Sequence, residues 1–146
     1  MSDQKNIQEK LVRYQVLEGR INALIKRRDL LIAKMLEIET TLSSMGEIEK
    51  NKEGEIFLPL GSSVHIPGTL KKTKKMIVEL GMGIVVERNV EETKDILEKR
   101  RSILNSGLQA IEKEMVNLSN ELLNLEPEIN ALLEKAKTPS SGRRAS

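Results

Sequence analysis

Between Tyr14 and Met45 the apolar residues recur on a single step, and that step limits the fold more than any other feature of the chain. Tyr14, Leu17, Ile21, Leu24, Leu31, Met35, Ile38, Leu42 and Met45 are separated alternately by three and four residues, with Arg28 at the one charged position in the series. A mean spacing of 3.5 keeps one stripe of side chains on one helix face through about five heptads, the signature of a coiled coil rather than of a helix on a globular core. Residues 5–45 contain no proline and a single glycine, Gly19. At about 1.5 Å per residue, this helix spans roughly 60 Å. Extended backward, the register reaches Ile7 and the charged Lys10, so it frays at its start. Gly46 stands where a helix C-terminus is expected.

A second stripe occupies residues 90–137. Leu97, Leu104, Leu108, Ile111, Met115, Leu118, Leu122, Leu125, Ile129, Leu132 and Ala136 step by three and four, with Lys94 and Arg101 as its polar positions. Asn89 is placed to cap this helix, and Glu91 and Glu92 suit its first turn. Pro127 falls on the outer face, which predicts a kink rather than a stop. The two stripes match in length, and an antiparallel pairing sets Met45 near Leu97 and Tyr14 near Ile129. Residues 138–146 lack apolar periodicity and read as a disordered tail or an appended tag. Arg143-Arg144-Ala145-Ser146 has the look of a basophilic kinase substrate and is left out of fold reasoning.

Between the helices, over residues 53–88, the period changes from 3.5 to 2. Ile56, Leu58 and Leu60 alternate with Phe57 and Pro59; Gly61-Ser62-Ser63 supplies turn chemistry; Val64-His65-Ile66 follows, closed by Leu70. After the basic bend Lys71-Lys72-Thr73-Lys74-Lys75 come Met76–Leu80, a Gly81-Met82-Gly83 turn and Ile84–Arg88. These are four short strands in two hairpins, with Pro59 and Pro67 at edges or bulges. The fold class is mainly α with small β. Residues 1–137 form one unit, an antiparallel two-helix coiled-coil hairpin with two β-hairpins at its turn end. Such a monomer is incomplete. Leu30, Ile32, Leu36, Ile96, Ile103, Leu123 and Leu133 lie beside or outside the stripes, and four short strands leave open edges. The strand residues Ile56, Leu58, Leu60, Val64, Ile66, Met76, Val78, Leu80, Ile84 and Val86 are therefore candidates for oligomerisation.

Enzymatic readings find no constellation. The 146 residues include no cysteine and one histidine, His65, which excludes thiolate metal sites, cysteine nucleophiles and histidine-based metal clusters within the chain. Gly81-Met82-Gly83 precedes a strand and lacks the Gly-Lys-Ser/Thr of a phosphate loop, so it is a hairpin turn. No catalytic residue, metal or cofactor is expected. The net charge of +2 and two aromatic residues, Tyr14 and Phe57, argue against nucleic-acid binding. No apolar run approaches the roughly 20 residues of a membrane span. The four lysines of the bend read as a solvated guard on strand edges. Arg28 and Arg101 either fix register through an acidic neighbour or simply snorkel from the seam.

Leu58-Pro59-Leu60-Gly61-Ser62-Ser63-Val64, the lysine-rich bend, and Ile77-Val78-Glu79-Leu80-Gly81-Met82-Gly83-Ile84-Val85-Val86-Glu87 together resemble the double-hairpin region of the prefoldin alpha-type subunit. The same order of helix, two hairpins and helix extends the resemblance over roughly residues 5–136. Ser63 stands where many members have a glycine, and Ile84-Val85 where tyrosine is frequent. Room for four strands favours the alpha type over the one-hairpin beta type. The resemblance implies an ATP-independent holding chaperone of the cytoplasm, a hexamer of two alpha-type and four beta-type subunits whose hairpins join a β-barrel platform. It further implies coiled-coil tips that grip unfolded proteins and pass them to a group II chaperonin. Here the tips hold Ile7, Leu11, Val12, Ile129, Leu132 and Leu133. Of these, Ile129 and Leu132 also serve to finish the seam, while Leu11, Val12 and Leu133 lie off the strict stripe and point more towards clients. A structural coiled-coil protein that forms homo-oligomers or filaments through the same hairpins is the alternative.

Overall fold

A computed structural model describes residues 2–50, 54–70 and 75–145, with side chains described through Lys137. Helix α1 covers Ser2–Lys50 and helix α2 covers Val90–Ala145; between them lie β1 (Glu55–Gly61), β2 (Val64–Thr69), β3 (Lys75–Gly81) and β4 (Ile84–Asn89). The long-helix and double-hairpin order is the one the changes of period predict. Several boundaries differ. Gly46 does not end α1, because the stripe gains one more member at Glu49, and that partnership outweighs a glycine's weak helix propensity. Strand β2 stops at Thr69, and the Leu70 N–H donates to the Gly54 carbonyl at 3.4 Å. Lys75 opens β3 instead of belonging to the basic bend, whose other residues lie outside the described ones. Helix α2 runs through Pro127 as one element, since the proline sits on the exposed face and Leu125 and Ile129 still turn inward. Its backbone stays helical to Ala145, past the expected disordered tail from Thr138. Pro139 removes one donor without ending the element.

The chain divides into two compact units. The first joins the described residues up to Ile32 with those from Ser106 onward. Leu17, Ile111, Leu118 and Ile129 are buried there, and Ile7, Tyr14, Ile21, Leu24, Leu31, Leu108, Met115, Leu122, Leu125 and Leu132 are half-buried. Those are the stripe positions of both helices. The helices run antiparallel, for Lys10 meets Glu128, Arg13 meets Glu121 and Arg20 meets Glu114. Gly107 receives Leu31, whose Cδ1 would lie 3.5 Å from a Cβ there, an ordinary contact.

The second unit, Ala33–Asn105, contains the hairpins and buries Met45, Val78, Thr93 and Leu97. Helix α2 starts where Asn89 Oδ1 accepts the Glu92 N–H at 2.8 Å, the capping arrangement expected of Asn89. The Thr93 hydroxyl returns to the Asn89 carbonyl at 2.8 Å, which satisfies its one buried polar group. Glu49 Oε1 is shut off from solvent, and Lys94 Nζ lies 2.9 Å from it. That contact raises the Lys94 ammonium above its ordinary pKa, chiefly through its hydrogen bond to Glu49 and against the pull of partial desolvation. Arg100 Nη2 donates to the Glu79 carbonyl at 2.7 Å and ties α2 to β3.

The two hairpins use one construction twice. Leu58 pairs with Ile66 in the first and Val78 with Val86 in the second, and each register shifts just before its turn, at Pro59/Gly61 and at Glu79/Gly81. Both central turn residues have positive φ, at Ser62 (50°) and Ser63 (64°) in one and at Met82 (52°) and Gly83 (76°) in the other. Two-residue turns of this hand match the twist of the strands they join. Only the first turn puts a side chain at its second left-handed position. An L-residue in that conformation costs roughly 1–2 kcal/mol, which glycine avoids at some expense in chain entropy. Ser63→Gly is therefore expected to stabilise the first hairpin by up to about 1 kcal/mol. Amide exchange should slow along β1–β2 and stay unchanged along β3–β4.

Candidate functional site and assembly surface

The two candidate surfaces carry apolar side chains that the chain itself leaves uncovered, as do helix positions off the stripe such as Leu30, Ile103 and Leu123. The first is the pair of hairpins. Of the expected oligomerisation residues, Leu58, Leu60, Val64, Ile66, Leu80 and Ile84 are exposed, and Ile56, Met76 and Val86 are half-buried. Val78 is only 6% exposed and belongs to the unit's own core, so β3 does have an internal partner layer. Phe57, Ile77, Met82 and Val85 are exposed as well, and the reading of a single alternating face passes over them. Their signal was present in the sequence: Phe57, Ile77 and Val85 sit on the odd positions between the chosen ones, so the strands are apolar on both faces. Runs of that kind mark strands covered on both sides. In a two-stranded sheet every strand is also an edge.

The second surface lies on the unit that holds both ends of the chain. Leu11 (41%), Val12 (58%) and Leu133 (40%) are exposed. Ile7 and Leu132 are half-buried in the seam, and Ile129 is 7% exposed and closes it. The six residues read from the sequence thus separate into three that face solvent and three that hold the helices together. One flank of this seam is sealed by charge. Lys10 Nζ lies 2.6 Å from Glu128 Oε2, Arg13 Nη2 3.2 Å from Glu121 Oε2, and Arg20 Nε donates to Glu114 Oε1 at 2.9 Å. A cavity of about 190 Å³ beside Arg13, Leu17, Asn124 and Leu125 is smaller than the roughly 300–1,000 Å³ of small-molecule sites. Tyr14 lies towards the other flank, where burial raises its phenol pKa and the charges of Glu18 and Glu126 raise it further.

The remaining polar residues have local explanations. Arg28 reaches Asp29 at 3.6 Å and Arg101 reaches Glu98 at 2.8 Å, each on its own helix, so the seam arginines snorkel and do not bridge the helices. His65 is exposed on β2 opposite Pro59. Among the described residues no three or more His, Cys, Asp or Glu side chains gather as a metal site, and no helix is long and apolar enough to cross a membrane.

A seam of two long helices, two hairpins set between them in the chain and apolar surfaces left open on both units define a coiled-coil protein built to make contacts. Comparison with known proteins gives its family. The family model for "Prefoldin subunit" matches residues 17–135. The chain is 31% identical over 136 residues to prefoldin subunit alpha of Pyrococcus horikoshii, covering 91% of this chain and 86% of the relative. It is 28% identical over 138 residues to prefoldin subunit alpha of Archaeoglobus fulgidus, covering 92% and 99%. The fold matches a chain in the cryo-EM structure of filamentous PFD from Methanocaldococcus jannaschii with a TM-score of 0.67, at 21% identity, over 83% of this chain and 98% of that one. The chain belongs to the prefoldin family, as an alpha-type subunit. It is a prefoldin-type chaperone, in a family that works as oligomeric complexes.

The burial of Val78 separates folding from assembly. Leu58→Asp alters a side chain that is 51% exposed, so it is expected to keep the helical circular dichroism and shift native mass towards free subunits. Val78→Asp forces a carboxylate into a closed site and is expected to destabilise the fold itself by about 3 kcal/mol or more.

Proposed function

We propose that this chain is the alpha-type subunit of an ATP-independent holdase that joins beta-type subunits through its hairpins, two alpha with four beta, in a β-barrel platform. It works in the cytoplasm, binds unfolded proteins through Leu11, Val12 and Leu133, and delivers them to a group II chaperonin. The observation that carries this reading is the exposure of those three residues beside a seam whose other members are buried or half-buried. An aliphatic side chain contributes about 1.5–3 kcal/mol when wholly buried, and less when it is already partly covered. Three such contacts hold a client weakly, and several subunits acting together raise avidity while each contact still releases quickly. Ile7 and Leu132 join them when the helix ends fray, which exposes a turn at small energetic cost. Ile129 stays with the seam.

The alternative of homo-oligomers or filaments built through the same hairpins has one specific support: the M. jannaschii chain that shares this fold belongs to filamentous PFD. In that reading hairpins pair with hairpins of further copies, and no beta-type subunit is needed.

Replacing Leu11, Val12 and Leu133 together by Ser tests the holding role without touching the hairpins. The variant, mixed with a beta-type subunit, is expected to keep the native mass of the unaltered complex. It is also expected to lose most suppression of client light scattering, in nucleotide-free buffer with a chelator. Full suppression by the variant would move the client site elsewhere, and native mass of the chain alone separates the hexameric from the homo-oligomeric reading.

A further inference from the structure

The two flanks of the chain-end seam are built differently. In the heptad register Arg13 and Arg20 precede the stripe positions Tyr14 and Ile21, while Leu11, Glu18, Ile25 and Ile32 follow the positions Lys10, Leu17, Leu24 and Leu31. On α2 the matching sets are Glu114, Glu121 and Glu128 on one flank and Glu112, Ser119, Glu126 and Leu133 on the other. On the first flank every acidic side chain of α2 meets a base of α1. The second flank has no such seal. The antiparallel register fixed by Arg13–Glu121 and Arg20–Glu114 sets Glu18 and Glu126 at facing positions of that flank, and both charges add to the effect of burial in raising the Tyr14 phenol. Among the described residues neither glutamate is ion-paired, and the residues three and four away along each helix include no Lys or Arg. Two like charges at flanking positions oppose pairing of the helices, whereas such positions commonly carry complementary charge. One heptad further towards the chain ends, the same flank presents Leu11 and Leu133, both exposed.

We propose that this second flank, formed by Leu11, Glu18, Glu126 and Leu133, is a docking surface for unfolded segments in which cationic and apolar side chains alternate. The proposal rests on the reading of the chain-end unit as the client-binding part and names the class of client that unit prefers. Charge complementarity selects the occupant: a lysine or arginine set between Glu18 and Glu126 meets two carboxylates that have no ion-pair partner among the described residues, while a leucine or valine nearby covers Leu11 and Leu133. The spacing suits an extended chain. One heptad of helix advances about 10.5 Å, a distance an extended strand covers in about three residues. Acidic segments meet the same repulsion that the two glutamates impose on each other, and the ion-paired flank offers no free carboxylate to either kind of segment.

Two labelled, unstructured peptides that carry leucine every third residue, and differ only in having lysine or glutamate between, test this by anisotropy titration against the full chain. At low salt the lysine peptide is expected to bind about tenfold tighter, as two solvent-exposed charge contacts allow, and the ratio is expected to shrink as salt is added. The Glu18→Gln/Glu126→Gln variant is expected to bring the ratio near one. Glu114→Gln/Glu121→Gln, which changes net charge by the same amount on the sealed flank, is expected to leave most of it. Equal loss in both double variants would reduce the preference to net charge and overturn the proposal. Equal binding of the two peptides to the unaltered chain, with binding lost in Leu11→Ser/Leu133→Ser, would overturn the charge preference and leave the client-binding reading standing. No binding of either peptide would remove both.

Discussion

Everything in this protein depends on a seam one side chain wide. Two helices can bury only the positions that repeat every three and four residues, and here those positions are the least exposed on both helices, from Ile7 to Glu49 and from Lys94 to Leu132. Most residues off the stripe stay exposed whatever their polarity, with Thr93, Ile25 and Ile96 among the exceptions. An alpha-type subunit of this design has no thick core in which to hide apolar residues, so the placement of a leucine by one step decides whether it holds the fold or serves as a surface. Leu132 and Leu133 show the difference: the first is half-buried in the seam and the second is exposed on its flank.

The same constraint explains the charges. Polar residues within the stripe are tolerated where they find a partner or reach water. Lys94 and Glu49 meet across the helices, whereas Arg28 and Arg101 turn to acids on their own helices. The hairpins follow a related logic. Two-stranded sheets with apolar side chains on both faces cannot cover themselves, and only β3, through Val78, sends a side chain into the core of its own unit. What remains open on the strands is the surface we propose for other subunits, and what remains open beside the chain ends is the one we propose for clients. Neither role needs a cavity, a metal or a nucleophile.

Much of this was legible in the sequence because periodicity is a direct record of burial. The shift from a 3.5 to a 2 period located both hairpins, and Asn89 gave the start of α2 through a capping bond that forms as expected. The boundaries were harder. Gly46 reads as a stop by local propensity, but the Glu49–Lys94 pair one turn further on holds the helix, and that pair involves residues far apart in sequence. The surfaces were read in part. Alternation picks out one strand face and misses the exposed Phe57, Ile77 and Val85, and it does not reveal that Val78 is buried within the chain. Nothing in a linear pattern distinguishes a strand residue covered by its own helices from one awaiting another subunit. For the same reason the unpaired state of Glu18 and Glu126 emerged only once the two helices were aligned.

The most direct test of the seam compares one substitution at two positions of one helix. Leu17 is 3% exposed and Leu30 is 64% exposed, and both are leucines in α1. Thermal unfolding of Leu17→Asp and Leu30→Asp, followed by circular dichroism, should give sharply different results. Leu30→Asp is expected to unfold near the unaltered chain, while Leu17→Asp is expected to lose about 3 kcal/mol or more through a buried, unpaired carboxylate. Equal losses at the two positions would contradict this, since the stripe would then have no special claim on the stability of the fold.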